Sequence, residues 1–411
     1  MKNQDMNQRL SERGRLMFLK GLDGEDEDFN YVTSRDRQRH HDGCKAIASC
    51  TKGTDIFVTH SKGSKTKGIY CIASSSKHSF DTTIRFTSDA SDDDDDGTDE
   101  TDDYGVKRKS VEEDKYGLYV MYHAISKDEV EPKGICVVEL GDIRTIYFTC
   151  MKKGSKVHTL HFIQDNMTTH NGRLSKSGVF DVLWPSTFRE KATSTPRFVT
   201  YRPGDKFVYM VSKDATVWRS KVGSRTIEIY GRVLDQRRSA RNLCFGYGAA
   251  ARYLIVTGMD FVAIFDVDPK TDASRTGRPI FKSVIQNRKN LRRLCRTKPF
   301  RNDLWFEGDS NKYRKVCMID GTMILLHSYG LAVLEHDFLR GGSGFFAGKN
   351  LKHAICRNYS GCDPHDMIPL SWGRRADKGG MRTAKIAVTL TGTNKLDFVE
   401  VPLMGDYKKA R

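Results

Sequence analysis

The sequence predicts an all-β protein, a single β-propeller of about seven four-stranded blades with a charged N-terminal extension and an acidic disordered insertion. Three observations carry that expectation: a recurring two-strand phrase, its spacing, and the material that interrupts it. The clearest copy of the phrase runs from Arg252 to Asp268, an apolar strand, a polar turn at Met259-Asp260 and a second strand. Other copies begin at residues 55, 117, 157, 206, 322 and 385. Their strands are rich in Val, Ile, Phe, Tyr and Thr and are punctuated by Gly, Asp or Asn, as hairpins are. The copies starting at 117, 157, 206 and 252 are spaced near the roughly 40–45-residue period of a four-stranded blade. The longer gaps each hold a charged or Gly-rich excess. A hairpin cannot bury its own face, whereas blades around an axis pack sheet on sheet and expose only short edges. Two β-sandwich domains are the rival architecture, but they predict no repeat.

The elements follow in chain order. Residues 1–43 form the charged extension, in which Phe29-Asn30-Tyr31-Val32-Thr33 is a candidate clasp strand. Residues 44–405 are the propeller. It is interrupted by an acidic disordered insertion at 88–115, a basic insertion at 286–315 and a Gly-rich basic insertion at 340–384. A basic tail, 406–411, ends the chain.

Two phrases carry a family resemblance. Ser212-Lys213-Asp214-Ala215-Thr216-Val217 resembles the S-x-D-x-T-V turn of WD40 repeats. The run Asp260 to Val267 is similar to their D-G-x-V-x-I-W-D-V ending, with Phe265 in the Trp place and Asp266 in the Asp place. No Gly-His pair stands ahead of these copies, and Trp218 precedes Arg219 where the family has Asp. The resemblance implies a platform that assembles multi-component complexes and carries no chemistry of its own.

Composition narrows the surroundings. No stretch reaches the roughly 18–20 apolar residues of a membrane span, and the start, MKNQDMNQRLSERGR, has no hydrophobic signal region. Ten cysteines in 411 residues are too dilute for a disulfide scaffold. A reducing compartment, cytoplasmic or nuclear, is the expectation.

Charge is the second signal. The formal net charge is +16, yet the run Asp89 to Asp103 holds ten of the 52 acidic residues and no Lys or Arg. The rest of the chain sets 68 basic against 42 acidic residues. A like-charge block repels itself, which is why 88–115 reads as a disordered loop. Between Arg288 and Arg301, seven of fourteen residues are Lys or Arg: Arg288, Lys289, Arg292, Arg293, Arg296, Lys298 and Arg301. Arg374 and Arg375 open a further cluster that runs to Lys385. Such segments contact phosphates by displacing counterions, with little sequence preference. Phe300, Trp305 and Phe306 lie near enough to stack on unpaired bases.

Catalytic motifs are not found. The stretch Gly341 to Asn350 lacks the Gly and the Ser/Thr of a phosphate-binding loop, with Ser343 and Asn350 in those places. Cys356, Cys362 and His365, with His353 nearby, are spaced too widely for an ordinary zinc site. His158, His161, His327 and His336 sit in strand-like runs that favour structural roles. The expected function is therefore a non-enzymatic scaffold without catalytic residues, metal or cofactor. Its expected partners are proteins, with RNA or another polyanion on the basic loops; no membrane contact or small-molecule substrate is expected. The alternatives are a protein-only adaptor for acidic partners, and a propeller-type hydrolase or β-rich viral protein.

Overall fold

The computed structural model describes residues 44–49, 55–60, 68–73, 84–85, 117–123, 132–141, 143–151, 158–166, 180–181, 196–224, 226–233, 239–258, 261–284, 313–327, 330–337, 353–359, 362–374, 382–391 and 395–403. These form six antiparallel four-stranded sheets that resemble propeller blades. The first contains β1 (Cys44–Ser49), β2 (Ile56–His60) and β3 (Gly68–Ala73). The chain then supplies β4 (Ile84–Arg85) to another sheet before β5 (Gly117–His123) returns as the first sheet's fourth strand. The second sheet is β6 (Pro132–Leu140), β7 (Ile143–Met151), β8 (His158–Asn166) and β9 (Phe180–Asp181). The third is β10 (Pro196–Tyr201), β11 (Phe207–Ser212), β12 (Thr216–Lys221) and β13 (Glu228–Arg232). The fourth is β14 (Ala240–Phe245), β15 (Tyr253–Gly258), β16 (Phe261–Asp266) and β17 (Phe281–Val284), with α1 (Asp272–Thr276) between its last two strands. The fifth is β18 (Tyr313–Ile319), β19 (Thr322–His327), β20 (Gly330–Asp337) and β21 (His353–Asn358). The sixth joins β22 (Pro364–Arg374), β23 (Arg382–Leu390) and β24 (Lys395–Pro402) to β4.

The expected seven hairpins resolve into six sheets, and the difference has a local cause. The phrase at 117–140 is not a hairpin: β5 is the outer strand of one sheet and β6 the innermost strand of the next. Both are apolar and the segment between them is short, so a crossover and a hairpin read alike in sequence. Two expected insertions also change. Residues 313–315 begin β18, so the 286–315 insertion is too long at its end. The segment 340–384 contains all of β21 and β22 and the start of β23, so it supplies strands to two sheets. The N-terminal extension, the acidic insertion, the C-terminal tail and the candidate clasp at 29–33 lie outside the described residues. The strand that completes the last sheet is β4, with Lys395 opposite Arg85 and Leu396 opposite Ile84.

Each first strand contacts the first strand of the next sheet, and β22 contacts β1. Apolar clusters bridge successive sheets. One joins Ile47, Val58 and Ile72 of the first sheet to Ile368, Leu370 and Ala387 of the sixth. Because neighbours cover both faces, middle strands can be buried along their length: all six residues of β16, FVAIFD, are inside. That is why these strands read as continuous apolar runs, without the alternation of a half-exposed sheet. Adjacent first strands come very close at Gly134, where a Cβ would lie 2.7 Å from Phe198 Cα. Only glycine fits that approach.

Candidate functional site

The residues that converge on the axis come from the first strands, and one local device repeats in all six. Near its start each first strand slips register against the second. The residues passed over are Lys45-Ala46, Lys133-Gly134, Arg197, Arg241, Arg314 and His365. A bulge puts an extra residue into one strand and leaves its amide without a ladder partner. Threonines of the second strands meet that need. Thr59 Oγ1 accepts from Ala46 N at 2.9 Å, Thr149 Oγ1 from Gly134 N at 2.9 Å, and Thr389 Oγ1 from Asp366 N at 3.0 Å. Several also link one sheet to the next. Thr149 donates to Arg197 O, Thr257 Oγ1 accepts from Val316 N at 2.9 Å, and Thr389 donates to Lys45 O at 3.0 Å. Thr391 donates to Cys44 O at 2.7 Å, so the sixth sheet is tied to the first as earlier sheets are tied to their successors.

One residue beyond the bulge, Asp366 joins four first strands. Its carboxylate accepts from Lys315 Nζ at 2.7 Å, Asn242 Nδ2 at 3.0 Å, Ile47 N at 3.1 Å and Met367 N at 2.8 Å. Lys315 and Asp366 are both almost fully buried, with side chains 7% and 6% exposed. Burial alone would lower the Lys315 pKa, but the adjacent carboxylate outweighs it and holds the ammonium above the ordinary lysine range. A buried carboxylate is tolerated when donors meet its lone pairs, and three further donors besides Lys315 meet Asp366.

On the far side of this hub, away from the strand starts, the channel widens into a cavity of about 560 Å³. Asp366, Lys315 and Asn242 form its polar end; Ile135, Phe198, Leu243 and Ile368 are among its apolar walls. Tyr247 and Trp372 also line it, with ring centroids 5.4 Å apart and planes at 65°. Trp372 is 40% exposed. Asp366 is the one carboxylate among the lining residues and is saturated with donors. The Cys244 thiol donates to Val316 O at 3.1 Å, and burial pushes its pKa up to about 12, so it is no thiolate at neutral pH. The arrangement offers shape and aromatic contact, and its titratable groups are committed to structure.

The strand starts carry charge. Lys45 and Lys133 are buried, and Arg197, Arg241 and His365 are half-buried. Burial, then the nearby Arg314 and Arg197, lower the Arg241 pKa to about 10. Burial, then Arg314, Lys45 and Lys133, hold His365 well below the ordinary histidine range. His365 Nδ1 lies 2.9 Å from Lys45 O, and Arg314 is ion-paired with Asp363.

Of the polyanion-binding residues expected from sequence, Arg288, Lys289, Arg292, Arg293, Arg296, Lys298, Arg301 and Arg375 lie outside the described residues. Arg374 is the last residue of β22, opposite Arg382. Of the rest of that cluster, Arg382 is ion-paired with Asp320, and Lys385 is buried in β23. The loose Cys-His set is also separated. His353 and Cys356 lie on β21, Cys362 is buried, and His365 is engaged with Lys45 O. His161 stacks on Phe148 at 5.4 Å and His327 meets Tyr313 edge-on at 5.8 Å, which are packing roles. Of the basic residues at the strand starts, Arg241 stands at the end of a basic run, Arg232 to Arg241, while Lys45, Lys133, Arg197 and Arg314 were missed because they lie at separate places in the sequence. The readable signal was an apolar run ending in Thr, as at Thr59, Thr149, Thr257 and Thr389, paired with a cation at a strand start.

The WD40-like phrases form the turns the resemblance implies. Thr216 N donates to Asp214 Oδ1 at 3.2 Å, Ser212 Oγ donates to Asp214, and Trp218 Nε1 donates to Ser212 Oγ at 3.1 Å. Ala215 takes φ +64°. Asp266 is buried and bonds Arg252 Nη2 at 3.2 Å and the Asp268 amide at 3.0 Å, so an arginine partners the carboxylate where the family uses histidine.

No family model matches the chain, and no curated protein matches it. Solved structures of similar arrangement include the WD40 β-propeller domain of Doa1, with 9% identity and a TM-score of 0.40 over 88% of this chain and 82% of that one. The Myceliophteria thermophila Cps50 (Swd1) β-propeller domain is 9% identical with a TM-score of 0.44, over 87% of this chain and 82% of that one. YCF48 bound to D1 peptide is 8% identical with a TM-score of 0.38, over 90% and 80%. The architecture itself rests on the strand pairing and contacts described above.

Proposed function

We propose that the six sheets close into a WD40-like propeller that serves as a non-catalytic scaffold for a multi-component complex. It contacts RNA or another polyanion through Arg288, Lys289, Arg292, Arg293, Arg296, Lys298 and Arg301, with Arg374 and Arg375 beside β22. The observation that carries the scaffold reading is Asp366: the one carboxylate that lines the cavity among the described residues is spent on holding four strands together. The polyanion reading is supported by the excess of 68 basic over 52 acidic residues. A reducing compartment, cytoplasm or nucleus, suits Cys44, Cys71, Cys136, Cys150, Cys244, Cys317 and Cys362, which are buried free thiols.

The test is titration of fluorescent single-stranded RNA across a salt series. The wild type is compared with a variant in which Arg288, Lys289, Arg292, Arg293 and Arg296 are changed to Ala. Micromolar or tighter binding that falls steeply with salt, and weakens in the folded variant, is the expected result. Absence of binding at low salt removes RNA from the reading and leaves a protein-only adaptor.

A further inference from the structure

The polar end of the cavity holds hydrogen-bond donors that the fold does not use up. Lys315 Nζ bonds Asp366 Oδ1 at 2.7 Å, its one hydrogen bond among the described residues. An ammonium carries three N–H groups, so two remain. Asn242 Nδ2 gives one N–H to Asp366 Oδ1 at 3.0 Å and keeps its second, while Asn242 Oδ1 is taken by the Leu243 amide at 2.8 Å. Asp366 already meets four donors, about as many as a carboxylate accepts. The side-chain capacity left at this end is therefore N–H. Lys315 and Asn242 both line the cavity and are almost fully buried. Buried donors without acceptors cost stability. Water meets them only by wetting the apolar walls beside them, whereas a molecule with an oxygen at one end and hydrocarbon behind it satisfies both.

Charge sets the class of that oxygen. Lys315 and Asp366 neutralise each other, and Arg202, the other charged residue among the lining residues, is paired with Asp205 at 3.1 Å. An entering carboxylate would be a buried charge with no partner of its own, and an entering ammonium would find no open acceptor at the hub. A neutral carbonyl oxygen avoids both costs. We propose that the cavity binds a small, uncharged molecule with a carbonyl oxygen at one end and a hydrocarbon body. The oxygen accepts from Lys315 and Asn242, and the body lies on Ile135, Phe198, Leu243 and Ile368. The volume, about 560 Å³, is that of an ordinary small-molecule site. This site uses none of the basic residues between 288 and 301, so it and the RNA reading stand or fall separately.

The test is calorimetric titration of the full chain with 2-heptanone, 2-octanone and 2-nonanone, and with octanoate and octylamine as the charged counterparts. Near 1:1 binding of the ketones is expected, tightening about three- to fourfold for each added CH₂. Octanoate and octylamine are expected to bind about tenfold more weakly than 2-nonanone. Val137 is a half-buried lining residue of β6. Val137→Phe narrows the cavity and should weaken 2-nonanone by about tenfold or more. If that variant does not fold, Thr200→Phe fills the cavity from β10, with the same loss expected. Ile229→Ser, at an apolar residue 52% exposed on β13, should bind as the wild type does, which separates the cavity from adsorption to surface hydrocarbon. The proposal is overturned if no ketone binds, if octanoate or octylamine binds as tightly as 2-nonanone, if the filled variants bind unchanged, or if Ile229→Ser loses binding equally. Binding of 2-nonanone unchanged in the 288–296 variant would separate this site from the RNA surface.

Discussion

The starts and the ends of the same six first strands bring together different side chains. Where the strands begin, each register slip passes over a Lys, Arg or His, and threonines accept from the amides at three of the slips. Further along, the register slips of the strand starts recur only in β22, between Pro369 and Ser371, and apolar residues join the lining, ending near Tyr247 and Trp372. Asp366 stands between the two as a hub of hydrogen bonds. One residue of register therefore separates a charged surface from an apolar one. An irregularity in a ladder, repeated around an axis, is enough to give a channel two chemistries.

The hub is the place to break that contrast. Asp366→Ala removes the acceptor for two other first-strand side chains and leaves the Lys315 ammonium buried alone, at an expected loss of about 3–5 kcal/mol in denaturant unfolding. Adding Lys315→Met should restore a good part of that loss, because the stranded charge goes with it. A loss within experimental error for Asp366→Ala would show that the hub does not hold the strands.

A smaller effect is expected at the bulges. Thr389→Val leaves Asp366 N without its acceptor and Lys45 O without that donor. The expected cost is about 1–3 kcal/mol, read from chemical denaturation. An unchanged midpoint would mean that solvent replaces the hydroxyl, and the link from the sixth sheet to the first would carry little stability.

Acid should act on the charged end alone. Burial and the facing Arg314, Lys45 and Lys133 hold His365 below the ordinary histidine pKa. Below pH of about 6.5 the unfolded chain therefore takes up a proton that the folded one refuses. Stability falls as pH drops through that range, until His365's own lower pKa is passed. His365→Gln should flatten this part of the stability–pH curve relative to wild type. An identical slope in the two proteins would remove His365 as the source.

At the apolar end the expected effect is smallest. Trp372 is partly exposed and meets Tyr247 edge-on, so Trp372→Ala should shift stability by no more than about 1 kcal/mol. A larger loss, seen in thermal melts, would mean that the aromatic pair is core packing and not a contact surface.

Legibility followed the range of the interaction. Strands β11–β12, β15–β16, β19–β20 and β23–β24 were readable because each hairpin's apolar residues and turn lie together in the chain. The turn at Ser212 to Val217 was readable for the same reason, its hydrogen bonds spanning a few residues. The count of sheets was not, because β5 and β6 look like a hairpin and belong to different sheets. Nor was the identity of the last sheet's outer strand, since Lys395 opposite Arg85 joins residues from opposite ends of the fold. The axial groups were hidden for a related reason: Asp366, Asn242 and Lys315 are ordinary polar residues until the first strands meet.

By itself, then, the sequence determined the all-β class, the repeating apolar hairpins and the positive charge of the chain, all set by composition and contacts a few residues apart. The tertiary structure alone decided that the described residues form six sheets, that β4 completes the sixth, and that Asp366 bonds Ile47, Asn242 and Lys315 of three other first strands. Those outcomes depend on pairings across tens to hundreds of residues, such as the 319 that separate Ile47 from Asp366. Local pattern carries no record of such distances, because a strand's own residues are equally apolar whichever neighbour covers them.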